Sequence, residues 1–381
     1  MSSQPIANLP GDPCEAAPEY VRAIAPYQPG KPISELAREL GLAESGIIKL
    51  ASNENPLGVS PAARAAMEAA LPELGRYPDG NGFGLKSALA GRYGVPLDRV
   101  VLGNGSNDVL EMVAIAFLGP GRSAVYAQHA FAVYPLATQA RGARGIVVAA
   151  KNYGHDLAAM RKAIDADTRV LFIANPNNPT GTLLSGAEIE AFLREVPPHV
   201  VVVLDEAYNE YLPAAVRYDS RRLLERHRNL VVTRTFSKAY GLAGLRVGFA
   251  LCDARVADLL NRVRQPFNVN ELALVAAVAA LGDDAFVRRS HDLNLAGMQQ
   301  LTDGFRRLGL AWIPSSGNFV SVAIPRANGG SRAGGVFESL LRQGVIVRPV
   351  GGYGLPDHLR VTVGLPEENE RFLAALAAAL R

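Results

Sequence analysis

At 381 residues the chain is longer than one hydrophobic core usually grows, so a large unit and a smaller one are expected. Its 20% charged and 49% apolar residues lie near globular averages, which argues against a disordered or fibrous protein. The 39 basic and 36 acidic side chains are interspersed and leave a net charge of +3, a poor fit to a nucleic-acid partner.

The opening segment MSSQPIANLPGDPCEAAP lacks a basic n-region and an apolar h-region, so no secretory signal is read and a cytoplasmic protein is expected. Cys14 and Cys252 are far apart and without ligand spacing, which gives neither a disulfide framework nor a metal signature. Through Gly30 and Lys31 the chain is Pro-rich and aperiodic and reads as an arm over a surface, its tip a candidate to lie on a neighbour. From Ser60 the segment SPAARAAMEAALPEL has a cap residue, a Pro at the first helical position and many alanines, which mark a helix start, and RYPDGNGFG breaks it.

Beyond Val100, β-branched runs alternate with helical stretches: VVLG and SNDVLEMVAIAFL, SAVYA and FAVYPLATQAR, RVLFIAN and SGAEIEAFLREV, VVVVLDEA and SRRLLERH, NLVVTRTF and KAYGLAGLR. Apolar strands without alternation, separated by amphipathic helices, predict an α/β fold with a mostly parallel sheet flanked by helices. The apolar run Leu272 to Leu281 is about half the ~20 residues that span a bilayer, so it predicts a buried helix, and no membrane partner is expected. The tail, with WIPSSGNFVSVAI, GGVFESLLRQGVIVRPV, HLRVTVG and a closing helix, reads as a smaller α/β domain. The expected division is an arm and part of the small domain over 1–49, a large domain over 50–270, and a linker helix with the small domain over 271–381.

Three loops, each after a predicted strand where open α/β sheets bind ligands, carry the chemistry. They are NPNNPTG from Asn175 to Gly181, LDEAY from Leu204 to Tyr208, and TFSKAYGLAGLRVG from Thr235 to Gly248. Lys238 in its Ser-Lys context suits a Schiff-base lysine, whose pKa must be depressed; burial and the second positive charge of Arg246 would do that. Thr235 and Ser237 add hydroxyls for an anion. Asp205 ends a run that should be buried, so it needs a partner, and a helix cap is the competing role. Upstream, LGNGSNDVLEMV sets Ser106 and Asn107 between a strand and a helix, where backbone N–H groups and the helix dipole favour an anion.

In order and spacing these motifs resemble the fold type I aminotransferases along nearly the whole chain. The resemblance implies the cofactor pyridoxal 5'-phosphate and no metal. By it, Lys238 carries the cofactor, Asp205 pairs with its pyridine nitrogen, Tyr208 and Asn178 contact its phenolic oxygen, Phe131 stacks on its ring, and Arg246 with the Ser106–Asn107 cradle meets its phosphate. Arg360 in HLRVTVG would grip a substrate carboxylate, with Arg348 as a second cation for the acid or phosphate end.

The segments APYQPGKPISELARELG, KLASNENPLG, RYPDG and GNGSND are similar to the histidinol-phosphate aminotransferase subgroup. That similarity implies a homodimer acting on an amino donor and a 2-oxo acid. Tyr77 would reach the partner's cofactor phosphate, Tyr27 would hold substrate phosphate, and Asn53 and Glu54 would lie at the edge of the site, Asn53 in contact with substrate. Aromatic amino acid aminotransferases share the ENP, NPTG and SKA elements, and Phe131 stands where the subgroup often has Tyr, so an aromatic substrate stays open.

Overall fold

The protein is described by a computed structural model over residues 12–327 and 329–381; the start of the arm, residues 1–11, lies outside the described residues. The described arm holds two short helical turns, Pro13–Ala16 and Glu19–Arg22, where sequence suggested only irregular chain. It packs against the large sheet's periphery, because Gln139 donates to the Tyr20 carbonyl at 3.3 Å. A further helix, Ile33–Leu40, buries Leu36 and Ala37 and leads to Ile48–Lys49 (β1).

Seven strands follow: Val100–Gly103 (β2), Ser123–Ala127 (β3), Arg144–Val148 (β4), Thr168–Ala174 (β5), Val201–Asp205 (β6), Leu230–Thr235 (β7) and Gly248–Cys252 (β8). They form one sheet in the order β2-β8-β7-β6-β5-β3-β4. From β7 to β4 every pair is parallel, while β8 runs antiparallel to both neighbours. All five residues of β6 are buried, the signature of a strand covered on both faces. One face packs Leu85, Ile189 and Leu274 against the sheet; the other packs Val113, Tyr134 and Leu260.

Local chemistry explains the helices. Ser60 caps Pro61–Ala70 by accepting from the Ala63 N–H at 3.1 Å, and Ser185 and Glu188 form a reciprocal capping box on Gly186–Glu195. The apolar run near residue 275 is a helix, Glu271–Gly282, with six buried residues. Among the described residues no helix is long and apolar enough to cross a membrane.

KAYGLAGLR is not a helix. It makes only a 3-10 turn at Ala243–Leu245 before reversing into β8. Gly241 sits at φ +71, where a Cβ would fall 1.9 Å from the Gly58 carbonyl oxygen, and Arg246 at φ +58. Left-handed residues at these two points turn the chain instead of continuing it helically. The strands β4 and β8 and the helices Phe83–Tyr93, Leu157–Lys162 and Ala254–Val263 are elements that the alternation of motifs did not reveal.

Past the helix Asp284–Arg307 come Trp312–Ile313 (β9), Phe319–Ala323 (β10), Val345–Ile346 (β11), Arg348–Pro349 (β12) and His358–Thr362 (β13). Four of these make an antiparallel sheet, β12-β13-β10-β9, whereas β11 pairs in parallel with β1 from the start of the chain. Helices Ala333–Arg342 and Pro366–Leu380 close a second core around Phe305, Val336, Leu340 and Phe372. Strands β5, β6 and β7 end on one rim of the large sheet, and β13 faces that rim through Arg360, which donates to Asn178 in the loop after β5.

Candidate active site

Between the rim and β13 lies a cavity of about 220 Å³. Its lining includes Lys238, Asp205, Tyr208, Asn178, Ser106, Asn107, Phe131, Thr235, Ser237, Arg246, Arg360, Arg348, Tyr27 and Asn53. Of the residues singled out from sequence, Tyr77 stands apart: it is 83% exposed and stacks on Phe267 at 4.7 Å. Glu54 is committed to an ion pair with Lys49 at 3.0 Å.

Lys238 follows β7 and donates from Nζ to the Ser52 carbonyl at 3.0 Å. Desolvation, chiefly, and then the Arg360 charge lower its pKa to about 7; Glu54 opposes this, and Arg246 contributes less than Arg360. The sequence reading gave Arg246 that leading charge, but the fold brings Arg360 into the same pocket. An amine half neutral near pH 7 is a competent nucleophile and base.

Asp205 is the last residue of β6. Its Oδ2 accepts from the Tyr134 hydroxyl at 2.8 Å, while its Oδ1 is buried with no hydrogen-bond partner among the described residues. Burial raises its pKa, opposed chiefly by the hydrogen bond from Tyr134. It caps no helix; Asn209–Tyr211 is a single 3-10 turn whose cap is Tyr208. A buried carboxylate oxygen without a donor is costly and suits a charged N–H brought by a ligand.

Ser106 and Asn107 open the helix Ser106–Phe117 behind Gly105, which takes φ +81. A Cβ on Gly105 would lie 2.6 Å from an Arg246 guanidinium nitrogen, so glycine is what lets this arginine approach the helix start. Arg246 also donates to Ser237 Oγ at 3.3 Å, and the Thr235 hydroxyl accepts from the Ser237 N–H at 3.1 Å. Helix N-terminus, guanidinium and hydroxyls together make one anion-ready pole.

A second cationic group comes from the small sheet, where Arg348 and Arg360 are register partners on β12 and β13. Arg360 donates to Asn178 Oδ1 at 2.6 Å and to the Ala51 carbonyl at 2.7 Å, and its Nε has no partner among the described residues. Burial lowers its pKa. Arg348 donates to the Gln28 carbonyl at 2.7 Å and lies 5.6 Å over the Tyr27 ring, which ties the arm to this group. Phe131 packs edge-on to Tyr134 at 5.8 Å.

Tyr134, Tyr353 and Ser52 belong to the site but were not singled out from sequence. Tyr134 carried a faint signal, standing one helical turn after Phe131; Ser52 acts through a backbone carbonyl, which leaves none. Among the described residues no cluster of His, Cys, Asp or Glu could hold a metal ion.

Comparison with known proteins gives a consistent result. The family described as aminotransferase class I and II matches residues 45–376. The chain is 63% identical over 367 residues, 96% of its length and 92% of the relative's, to histidinol-phosphate aminotransferase 2 of Nitrosospira multiformis. It is 62% identical over 365 residues, 96% of each chain, to histidinol-phosphate aminotransferase 1 of Cupriavidus pinatubonensis. Its fold is similar to the crystal structure of histidinol-phosphate aminotransferase from Sinorhizobium meliloti in complex with pyridoxal-5'-phosphate, with a TM-score of 0.87, 26% identity, and 95% and 97% of the two chains covered.

Proposed function

The chain belongs to the class I and II aminotransferases, and we propose that it exchanges the amino group of L-histidinol phosphate with 2-oxoglutarate, giving imidazole acetol phosphate and glutamate. The observation that carries this reading is one cavity holding Lys238 and two separate anion-ready groups, one around Arg246 and one around Arg360 and Arg348. A phosphorylated cofactor and a phosphorylated or carboxylated substrate need both.

Pyridoxal 5'-phosphate fits the residues present. The unpaired Asp205 Oδ1 is the acceptor a pyridinium N–H requires, and the pole opened by Gly105 suits the phosphate. Lys238 would hold the cofactor, Phe131 would lie on its ring, and Tyr208 with Asn178 would contact its phenolic oxygen. Once bound, the cofactor acts as an electron sink for the charge left at the substrate Cα. Asp205 would keep the ring nitrogen protonated, and Lys238 would be the group that moves the proton from the substrate Cα to the cofactor. Ser106, Asn107, Thr235, Ser237 and Arg246 would anchor the phosphate so that the ring cannot swing away from Lys238.

Arg360 has to receive a carboxylate from glutamate and a phosphate-bearing carbon from histidinol phosphate; a guanidinium fork accepts either anion. Arg348 and the Tyr27 hydroxyl extend it toward the larger phosphate. We also infer a homodimer in which Tyr77, solvent-facing within its own chain, reaches the partner's cofactor phosphate, a cytoplasmic location, and the 1–49, 50–270 and 271–381 division. The test is kcat/KM for histidinol phosphate, phenylalanine and tyrosine side by side with 2-oxoglutarate. Histidinol phosphate should lead. A tenfold preference for phenylalanine, about 1.4 kcal/mol in transition-state binding, would reassign the enzyme to aromatic substrates.

A further inference from the structure

Three consecutive residues strap the two halves of the cavity together. The Ala51 carbonyl accepts from Arg360, the Ser52 carbonyl accepts from Lys238, and Asn53 lies between β13 and Tyr208. Asn53 is 1% exposed and held at φ +55, a left-handed conformation that non-glycine residues adopt at a cost unless their surroundings impose it. Its surroundings do so. The Asn53 N–H donates to Thr362 Oγ1 at 2.9 Å, and its carbonyl accepts from Asn318 Nδ2 at 3.0 Å.

The amide orientation follows from that frame. Thr362 Oγ1 already accepts from the Asn53 backbone, so its own hydrogen goes to Asn53 Oδ1 at 3.3 Å. The amide nitrogen is thereby turned to the other side, where Nδ2 donates to the Tyr208 hydroxyl oxygen at 2.9 Å. A phenol whose oxygen accepts on its protein side keeps its single hydrogen for another acceptor. Tyr208 makes no donation to protein among the described residues, and it lines the cavity.

We propose that Asn53 is a positioning residue that fixes Tyr208 as a hydrogen-bond donor into the cavity and ties that donor to β13, the strand carrying Arg360. This role goes beyond the substrate contact expected of Asn53 from sequence, because its amide already bridges Thr362 and Tyr208. The inference rests on the proposed reading that pyridoxal 5'-phosphate presents its phenolic oxygen to Tyr208. Substrate binding at Arg360 and the electronic tuning of the cofactor are then joined through one asparagine.

The test is a pH titration of the visible absorption of the purified holoenzyme. Losing a donor at an anionic oxygen strengthens that oxygen's hold on a shared proton, so the midpoint rises. Asn53→Asp offers the Tyr208 hydrogen an acceptor on the protein side and should raise the midpoint by about 1 unit, a tenfold change in proton affinity. Asn53→Gly suits the positive φ, lets the hydroxyl rotate freely, and should give a smaller rise that disappears in a Tyr208→Phe background. An unchanged midpoint in both variants, or an equal Asn53→Gly shift with and without the Tyr208 hydroxyl, would overturn the inference while leaving the cofactor reading intact. An unmodified enzyme with no visible absorption would overturn both.

Discussion

Tyr134 donates to Asp205 across 2.8 Å inside the core, and its ring is itself stacked at 4.7 Å on Phe172. Asp205 therefore has one oxygen fixed by the protein and one without a donor among the described residues. Asp205→Asn keeps the shape and removes the charge, so kcat should fall by two or more orders of magnitude, on the scale of ~3 kcal/mol. Tyr134→Phe should lower it less, since the charge stays. Near-normal turnover of the Asn variant in a steady-state assay would make Asp205 a structural residue.

Lys238→Ala should abolish steady-state transamination while the far-ultraviolet circular dichroism of the fold persists, because anchor and base are lost together.

The Lys238 amine, brought to about 7 mainly by desolvation, is neutral above that pH and charged below it. Cofactor loading onto cofactor-free protein should accordingly accelerate as pH rises through about 7 and level off above, as followed by absorbance. The stability sign agrees: with a folded pKa of about 7 against 10.5 for an ordinary lysine, the unfolded chain binds more protons between those values. Stability of the cofactor-free protein should therefore rise with pH across that window. Lys238→Met should remove this contribution, and an unchanged pH slope in urea unfolding would contradict it.

Tyr77 projects into solvent, 83% exposed, which suits a role in a second subunit. Mixing Lys238→Ala, Arg360→Ala chains with Tyr77→Phe chains should restore one working site per mixed dimer. Full activity in a preparation that sediments as a monomer would reject the shared site.

Arg360 holds Asn178 and Ala51 with two nitrogens at 2.6 and 2.7 Å. Arg360→Lys keeps the charge but loses the fork, so both half-reactions should slow. Tyr27→Phe should raise KM for histidinol phosphate more than for glutamate, and equal losses would remove Tyr27 from the phosphate site.

Gly241→Ala places a Cβ 1.9 Å from the Gly58 oxygen at a left-handed φ, whereas Gly244→Ala meets nothing within 4 Å. The first should cost about 3 kcal/mol or more and the second little, read as a shift in urea midpoint at constant slope.

How far the sequence could be read follows from what kind of group does each job. Asp205, Lys238, Asn178 and Arg246 were legible because side chains at strand ends carry their chemistry in their identity, and strand ends are where open sheets bind. Ser52 and Ala51 were not, since any residue has a carbonyl. Arg360 was singled out from its HLRVTVG motif, but its effect on Lys238 depends on β13 folding back over the rim, which no local pattern announces. The alanines and leucines of KAYGLAGLR favoured a helix, and only the close approach of Gly241 to Gly58 overrides them. β4 lies at the sheet edge and is mostly exposed, so its RGIVV run did not stand out as the buried strands did.

The Asn53–Thr362 hydrogen bonds join positions 309 residues apart. On the ribosome, the loops after β5, β6 and β7 can assemble while the C-terminal fifth of the chain is still unmade, but Asn53 lacks its Thr362 partner until β13 emerges. A nascent or truncated chain can thus own most of the cofactor-facing side chains and still lack a finished pocket. The order of synthesis acts as a timer that withholds the last wall of the site until the whole protein exists.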